Sequence, residues 1–266
     1  MPFVRAADLV VQYAVDGSAD ASVVMLANSL GTNFHMWDHQ LAALTRSYRV
    51  LRYDMRGHGL TDTTSSSDSA ADTIDRLAAD AVALLDALAI GRVHFIGLSI
   101  GGMVGQGVAA AYPDRVDSLA ICATGSRIGT AATWNDRIET VQREGIASIA
   151  EAGMGRWFTA RTRAERPELV RGFANMLTRT PLDGYVGGCR AVRDADLRAD
   201  DARIRCRTLI VAGAEDPTTT PAMGAEMRDA IPGAELIVFE HASHMLCAEQ
   251  PEATNAALLH FLEGGR

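Results

Sequence analysis

From residue 23 onward, short apolar runs alternate with longer stretches whose apolar positions recur every three or four residues. Runs at 23–27, 49–53, 93–97, 117–122, 207–212 and 235–239 predict strands, and 36–45, 73–89, 100–112, 221–231 and 251–263 predict helices. In 73–89, residues Ile74, Leu77, Ala81, Leu84, Leu85 and Leu88 fall on one helical face, which must be buried. Such alternation is the mark of a parallel sheet with crossover helices, an α/β fold. Ahead of it, 3–15 predict an antiparallel hairpin closing at Asp16-Gly17. The rhythm lapses from about 126 to 200, where amphipathic helical patterns and Arg/Glu pairs replace strands, and resumes at Arg207. The chain therefore divides into a core of 1–125 and 200–266 and a helical insertion of 126–199, placed where a lid over a site belongs. TDTTSSSDSAAD at 61–72 reads as a solvated loop, and no internal repeat is visible.

Composition narrows the function classes. At 266 residues, 48% hydrophobic and 22% charged, the chain can bury a sizeable core as an ordinary globular enzyme does. The net charge is −8 and every cation is Arg, so no basic face is expected for nucleic acid or an anionic membrane. No apolar run reaches the roughly 18 residues of a membrane helix. The start, MPFVRAADL, lacks a signal-peptide profile. Cys122, Cys189, Cys206 and Cys247 form no C-x-x-C pair and read as free thiols of a reducing, cytoplasmic compartment. No HxxH, HExxH or Cys/His cluster suggests a metal.

The chemistry concentrates at strand ends. Gly97-Leu98-Ser99-Ile100-Gly101 matches G-x-S-x-G between a strand and a small-residue helix, the setting in which a serine is pushed out on a strained turn. A serine needs a base to take its proton, and the base needs an acid to orient it. His244, between the last strand and last helix, is the expected base. His241 follows the strand too directly, and His35, His39, His58, His94 and His260 suit structural places. Asp216, on the loop after 207–212 and stopped by Pro217, is the expected acid; its neighbour Glu215 should point elsewhere. No carboxylate follows the strand 117–122. The order Ser99, Asp216, His244 is the α/β-hydrolase order. An oxyanion formed by attack on a carbonyl needs two N–H donors. Ile100, after the serine, supplies one, and the turn Asn28-Ser29-Leu30-Gly31 supplies the other at Leu30.

Together, N-S-L-G-T-N at 28–33, Y-D-M-R-G-H-G at 53–59, G-L-S-I-G-G at 97–102, G-x-x-D-P-x-T-x-P at 213–221 and D-G-Y-V-G-G-C-R-A-V-R-D-A-D at 183–196 resemble the 3-oxoadipate enol-lactonases of aromatic catabolism. The resemblance spans essentially the whole chain. It implies an α/β-hydrolase fold with a helical lid, no cofactor, and hydrolysis of a lactone by a Ser-His-Asp triad. Other esters or lactones, C–C bond hydrolysis or cofactor-free perhydrolysis on the same triad stay open, as does a small-molecule receptor of the same fold. Such a protein is a monomer or homo-oligomer whose partner is a small lactone. The substrate's free carboxylate calls for a cation, and with no Lys that means Arg or backbone N–H groups. Arg127, Arg137 and Arg190 are the candidates, with Trp134 and Trp157 as walls. Ser29, Asn33 and Met103 are further residues expected near the cavity. Asp54 and Arg56 are expected to fix the R-G-H-G turn.

Overall fold

The computed structural model describes residues 2–63 and 73–264. The loop expected at 61–72 falls largely outside the described residues. Eight strands form one sheet in the order β1-β2-β4-β3-β5-β6-β7-β8. The hairpin β1 (Phe3–Ala6) and β2 (Leu9–Asp16) is antiparallel and joins the edge of β4 (Arg49–Tyr53). From there β4, β3 (Val23–Ala27), β5 (Val93–Leu98), β6 (Val116–Cys122), β7 (Arg207–Gly213) and β8 (Glu235–Phe239) run parallel.

The central runs are continuously apolar because both faces are covered. Met25, Leu26, Phe95, Ile96, Leu119 and Ile121 are completely inaccessible. Register then places the loops. Ala27 pairs with Gly97, Leu98 with Cys122, and Cys122 with Val211, so β3, β5, β6 and β7 end side by side. The turns beginning at Asn28, Ser99, Ala123 and Ala214 emerge along one edge, where open α/β sheets hold their ligands.

On the sheet faces lie α1 (Asp38–Leu44), α2 (Ile74–Ala87), α3 (Ile100–Ala111), α10 (Pro221–Ala230), α11 (Leu246–Glu249) and α12 (Pro251–Leu262). The pattern of α2 meets the sheet as expected, with Ile74, Leu77, Ala81, Leu84 and Leu85 buried. One boundary differs from the expected helix at 36–45. Phe34–Trp37 is a 3₁₀ turn and α1 begins only at Asp38. The Asn33 side chain caps that turn by accepting the His35 N–H, while Asp54 takes the Phe34 N–H at 2.8 Å.

Between β6 and β7 the chain forms α4 (Ala131–Glu144), α5 (Ala150–Trp157), α6 (Ala160–Glu165), α7 (Pro167–Thr178), α8 (Leu182–Asp194) and α9 (Arg198–Asp201), and no strand. Its two stalks are zipped together at the sheet. The Leu197 N–H donates to the Ser126 carbonyl at 2.8 Å, and the Ser126 hydroxyl donates to Asp201 at 2.6 Å. Helix α8 rests on the core through glycine, because a Cβ on Gly184 would come within 1.9 Å of the Gly57 carbonyl oxygen. Among the described residues no helix is long and apolar enough to cross a membrane.

Candidate active site

The turn between β5 and α3 is strained at one residue. Ser99 has φ 58° and ψ −120°, a conformation that a residue with a Cβ adopts only when its surroundings impose it. The N–H of Ser99 donates to Cys122 O on β6 at 2.9 Å. Its carbonyl accepts Gly102 N–H at 2.8 Å and the Thr124 hydroxyl at 2.8 Å. Glycine is obligatory around it because the strand and helix all but touch. A Cβ on Gly97 would lie 2.1 Å from Gly101 O, and one on Gly101 would lie 2.4 Å from Ala27 O. The N-terminus of α3 opens directly behind the hydroxyl and favours negative charge there.

His244 and Asp216 meet on the loops after β8 and β7. Nδ1 of His244 donates to Asp216 Oδ2 at 2.7 Å, with both side chains buried. The carboxylate is saturated. Oδ1 accepts Thr218 N–H at 2.7 Å and Thr219 N–H at 3.0 Å, and Oδ2 also accepts the Thr219 hydroxyl at 2.5 Å. Burial alone would raise the Asp216 carboxyl, but the His244 charge and these donors outweigh it and hold the group below the usual carboxylate range. The ring is thereby fixed with Nδ1–H toward Asp216, leaving Nε2 as its free nitrogen, and His244 lines the same cavity as Ser99. His241 is exposed and faces Glu215 at 3.7 Å, so neither belongs to the site.

The turn after β3 contributes backbone. The N–H of Ser29 donates to Met36 Sδ, that of Gly31 to His58 Nε2 at 3.0 Å, and that of Thr32 to Ser29 O. Among the described residues the intervening N–H of Leu30 has no protein acceptor. Leu30 and Ser29 line the cavity with Ser99.

That cavity lies under α4, α5, α7 and α8. Trp134 and Arg137 line it from α4, the guanidinium lying 4.7 Å above the indole ring. The Trp134 N–H is spent on Ile128 O at 2.7 Å, so the ring is a fixed wall. Trp157, Tyr185 and Val192 add further apolar surface. Arg156, which the sequence reading did not single out, also lines the cavity; burial and then the charge of Arg137 push its pKa down. No carboxylate of a described residue pairs with either arginine.

Other expected contacts lie elsewhere. Arg127 is exposed and faces Asp196 at 3.7 Å on the outer side of the stalks. Arg190 does not line the cavity, because on α8 it lies on a different helical face from Tyr185 and Val192. Asn33 caps the 3₁₀ turn and opens onto a separate groove with Asp54 and Arg179. Met103 is wholly buried within the core. Asp54 does fix the turn it begins, accepting the N–H groups of Phe34 and Leu60, and Arg56 forms two 2.7 Å bonds to Asp80. Among the described residues no three His, Cys, Asp or Glu side chains gather as metal ligands would.

A parallel sheet, a strained serine turn and loops after successive strands define one architecture. Residues 23–257 match the alpha/beta hydrolase family model, and the chain belongs to that family. Within it the chain is an ester or lactone hydrolase similar to named enol-lactonases. It is 38% identical over 253 residues to 3-oxoadipate enol-lactonase 2 of Acinetobacter baylyi, covering 95% of this chain and 93% of that one. To 3-oxoadipate enol-lactonase 1 of the same organism it is 36% identical, covering 90% and 87%. The crystal structure of the enol-lactonase from Burkholderia xenovorans superimposes with a TM-score of 0.95 at 36% identity, covering 98% of this chain and all of the other.

Proposed function

We propose that the protein hydrolyses 3-oxoadipate enol-lactone to 3-oxoadipate, without a cofactor, in the breakdown of aromatic compounds. One observation carries this reading beyond a general esterase: Ser99 and His244 share a cavity with Arg137 and Arg156, two cations that no carboxylate of a described residue pairs with. Two half-buried guanidinium groups lining one cavity repel each other, and an anion between them relieves that repulsion, so the cavity suits an anionic substrate. Apolar walls of Trp134, Trp157 and Tyr185 suit a flat ring carrying that anion. The names of the enol-lactonase relatives point to the same substrate.

Ser99 Oγ attacks the lactone carbonyl while its proton passes to His244 Nε2, and Asp216 stabilises the imidazolium that forms. The carbonyl oxygen becomes an oxyanion held by the N–H groups of Leu30 and Ile100, each worth roughly 3 kcal/mol to the barrier. The intermediate collapses by breaking the bond from the carbonyl carbon to the ring oxygen. The leaving enolate oxygen regains a proton from His244 and tautomerises to the ketone. Water then attacks the acyl-Ser99 ester, giving its proton to His244, and the freed carboxylate leaves as Ser99 is reprotonated. Arg137 and Arg156 hold the substrate's existing carboxylate throughout, which orients the ring over Ser99.

The test compares the enol-lactone with its methyl ester, in which the free carboxylate is masked. A kcat/KM at least about tenfold higher for the free acid supports the reading, since a charge-assisted pair is worth about 1.5–3 kcal/mol. Equal values would defeat it.

A further inference from the structure

We propose that Glu249 is a positioning residue that ties the anion-binding wall of the cavity to the loop carrying His244. The proposal rests on the reading of Arg156 given above. Glu249 sits on α11, buried, and its two carboxylate oxygens accept N–H groups from two separate parts of the molecule. Oε1 takes Thr159 N–H at 2.8 Å, just after the end of α5, and Oε2 takes Ser243 N–H at 2.6 Å, one residue before His244. Charge-assisted bonds of this length are among the stronger ones a fold contains.

The two segments it bridges are also stitched to each other. The Ser243 hydroxyl donates to Arg156 O at 2.8 Å and lies 3.3 Å from Glu215 O, next to Asp216. The N–H of Met245 donates to Trp157 O at 2.9 Å. Both residues flanking His244 are therefore bonded to the backbone of the two residues that project Arg156 and Trp157 into the cavity. A carboxylate that only closed its own loop would bind neighbours in sequence. Here one partner is 90 positions away, on the insertion. The consequence is that a substrate anion gripped by Arg156 is held in a fixed relation to the His244 ring. Misplacing a bound substrate against its base by about 1 Å costs on the order of a hundredfold.

Glutamine is the informative replacement. It keeps the shape but offers one carbonyl oxygen where two acceptors are needed, and turns an amide toward one of the N–H groups. The experiment measures kcat/KM for the enol-lactone and for neutral p-nitrophenyl acetate in wild type, Glu249→Gln, Arg156→Met and the double variant. Glu249→Gln should lower lactone turnover by roughly ten- to a hundredfold and the acetate, which Arg156 does not anchor, by less than about threefold. In the Arg156→Met background the lactone effect of Glu249→Gln should shrink to that small factor, because both changes break one link. Equal losses on both substrates, or an undiminished effect in the Arg156→Met background, would show that Glu249 only supports the loop. If Arg156→Met alone leaves lactone turnover intact, the anion reading fails and the coupling falls with it. Ser243→Ala removes the hydroxyl link and no backbone bond. It should show the same lactone-selective loss, smaller in size, and decides the matter by the same criteria if Glu249→Gln does not fold.

Discussion

The N–H of Gly31 donates to Nε2 of His58 at 3.0 Å, which makes a buried histidine the anchor of the turn carrying Leu30. On its other side the His58 Nδ1–H donates to Arg56 O at 3.1 Å. The ring must be neutral to accept from Gly31, and burial keeps it so by pushing its pKa below the ordinary value. Gly31 itself has φ 76°, and a Cβ there would meet Leu177 at 2.6 Å, so the turn has little freedom to re-form without its anchor.

His58→Leu should lower kcat for the enol-lactone by about 10- to 100-fold while changing KM little, because a loosened Leu30 N–H is felt in the oxyanion rather than the bound substrate. Steady-state kinetics checks this. A rise in KM with unchanged kcat would place His58 in substrate binding instead.

Arg137→Met should act in the opposite sense. Its guanidinium packs on Trp134 and, in the proposed function, meets the substrate anion in ground state and transition state alike. KM for the free-acid lactone should rise about tenfold or more, with kcat altered far less and p-nitrophenyl acetate nearly unaffected.

The stalks of the insertion should carry a pH dependence. Burial raises the Asp201 carboxyl to about 6, the bond from Ser126 opposing the rise and the charges of Asp200 and Asp196 adding to it. An unfolded chain releases that proton near pH 4. Between those values the folded protein binds more protons than the unfolded one. This contribution to stability is therefore complete below about pH 4 and lost as pH rises through about 6. Tm measured from pH 4 to 7 should fall more steeply in wild type than in Asp201→Asn; parallel curves would contradict the assignment.

Packing behind the serine turn predicts a folding defect. Gly101→Ala drives a methyl group to 2.4 Å from Ala27 O and 2.7 Å from Asn28 O, both backbone atoms that cannot rotate away. Chemical denaturation should show a loss of about 3 kcal/mol or more.

Much of this was legible in the chain before any coordinates. Strands such as VHFIG and RTLIVA betray themselves by unbroken apolar character, which only a doubly covered sheet requires. Ser99 was legible because its glycines answer a steric demand visible in the spacing alone. The arginines that line the cavity were less so. Arg127 and Arg156 carry the same local signal, a lone Arg beside small residues. One is drawn outward by Asp196 across the stalks, while the other is turned inward by bonds from Ser243 and Met245 to its own and the next carbonyl. Both outcomes depend on partners tens of residues away. Asn33 was misplaced for a related reason: the start of a helix was expected at residue 36, whereas a 3₁₀ turn begins at residue 34 and claims its side chain as a cap.

The central claim is that Ser99 opens a carboxylated enol-lactone. Its most direct test is the loss of enol-lactone ultraviolet absorbance with purified wild type and Ser99→Ala, side by side. Wild type should reach a kcat/KM above about 10⁴ M⁻¹s⁻¹, and Ser99→Ala, folded and equally stable, should fall by about 10⁴-fold or more. Turnover no faster than buffer in wild type, or undiminished in Ser99→Ala, would contradict the account.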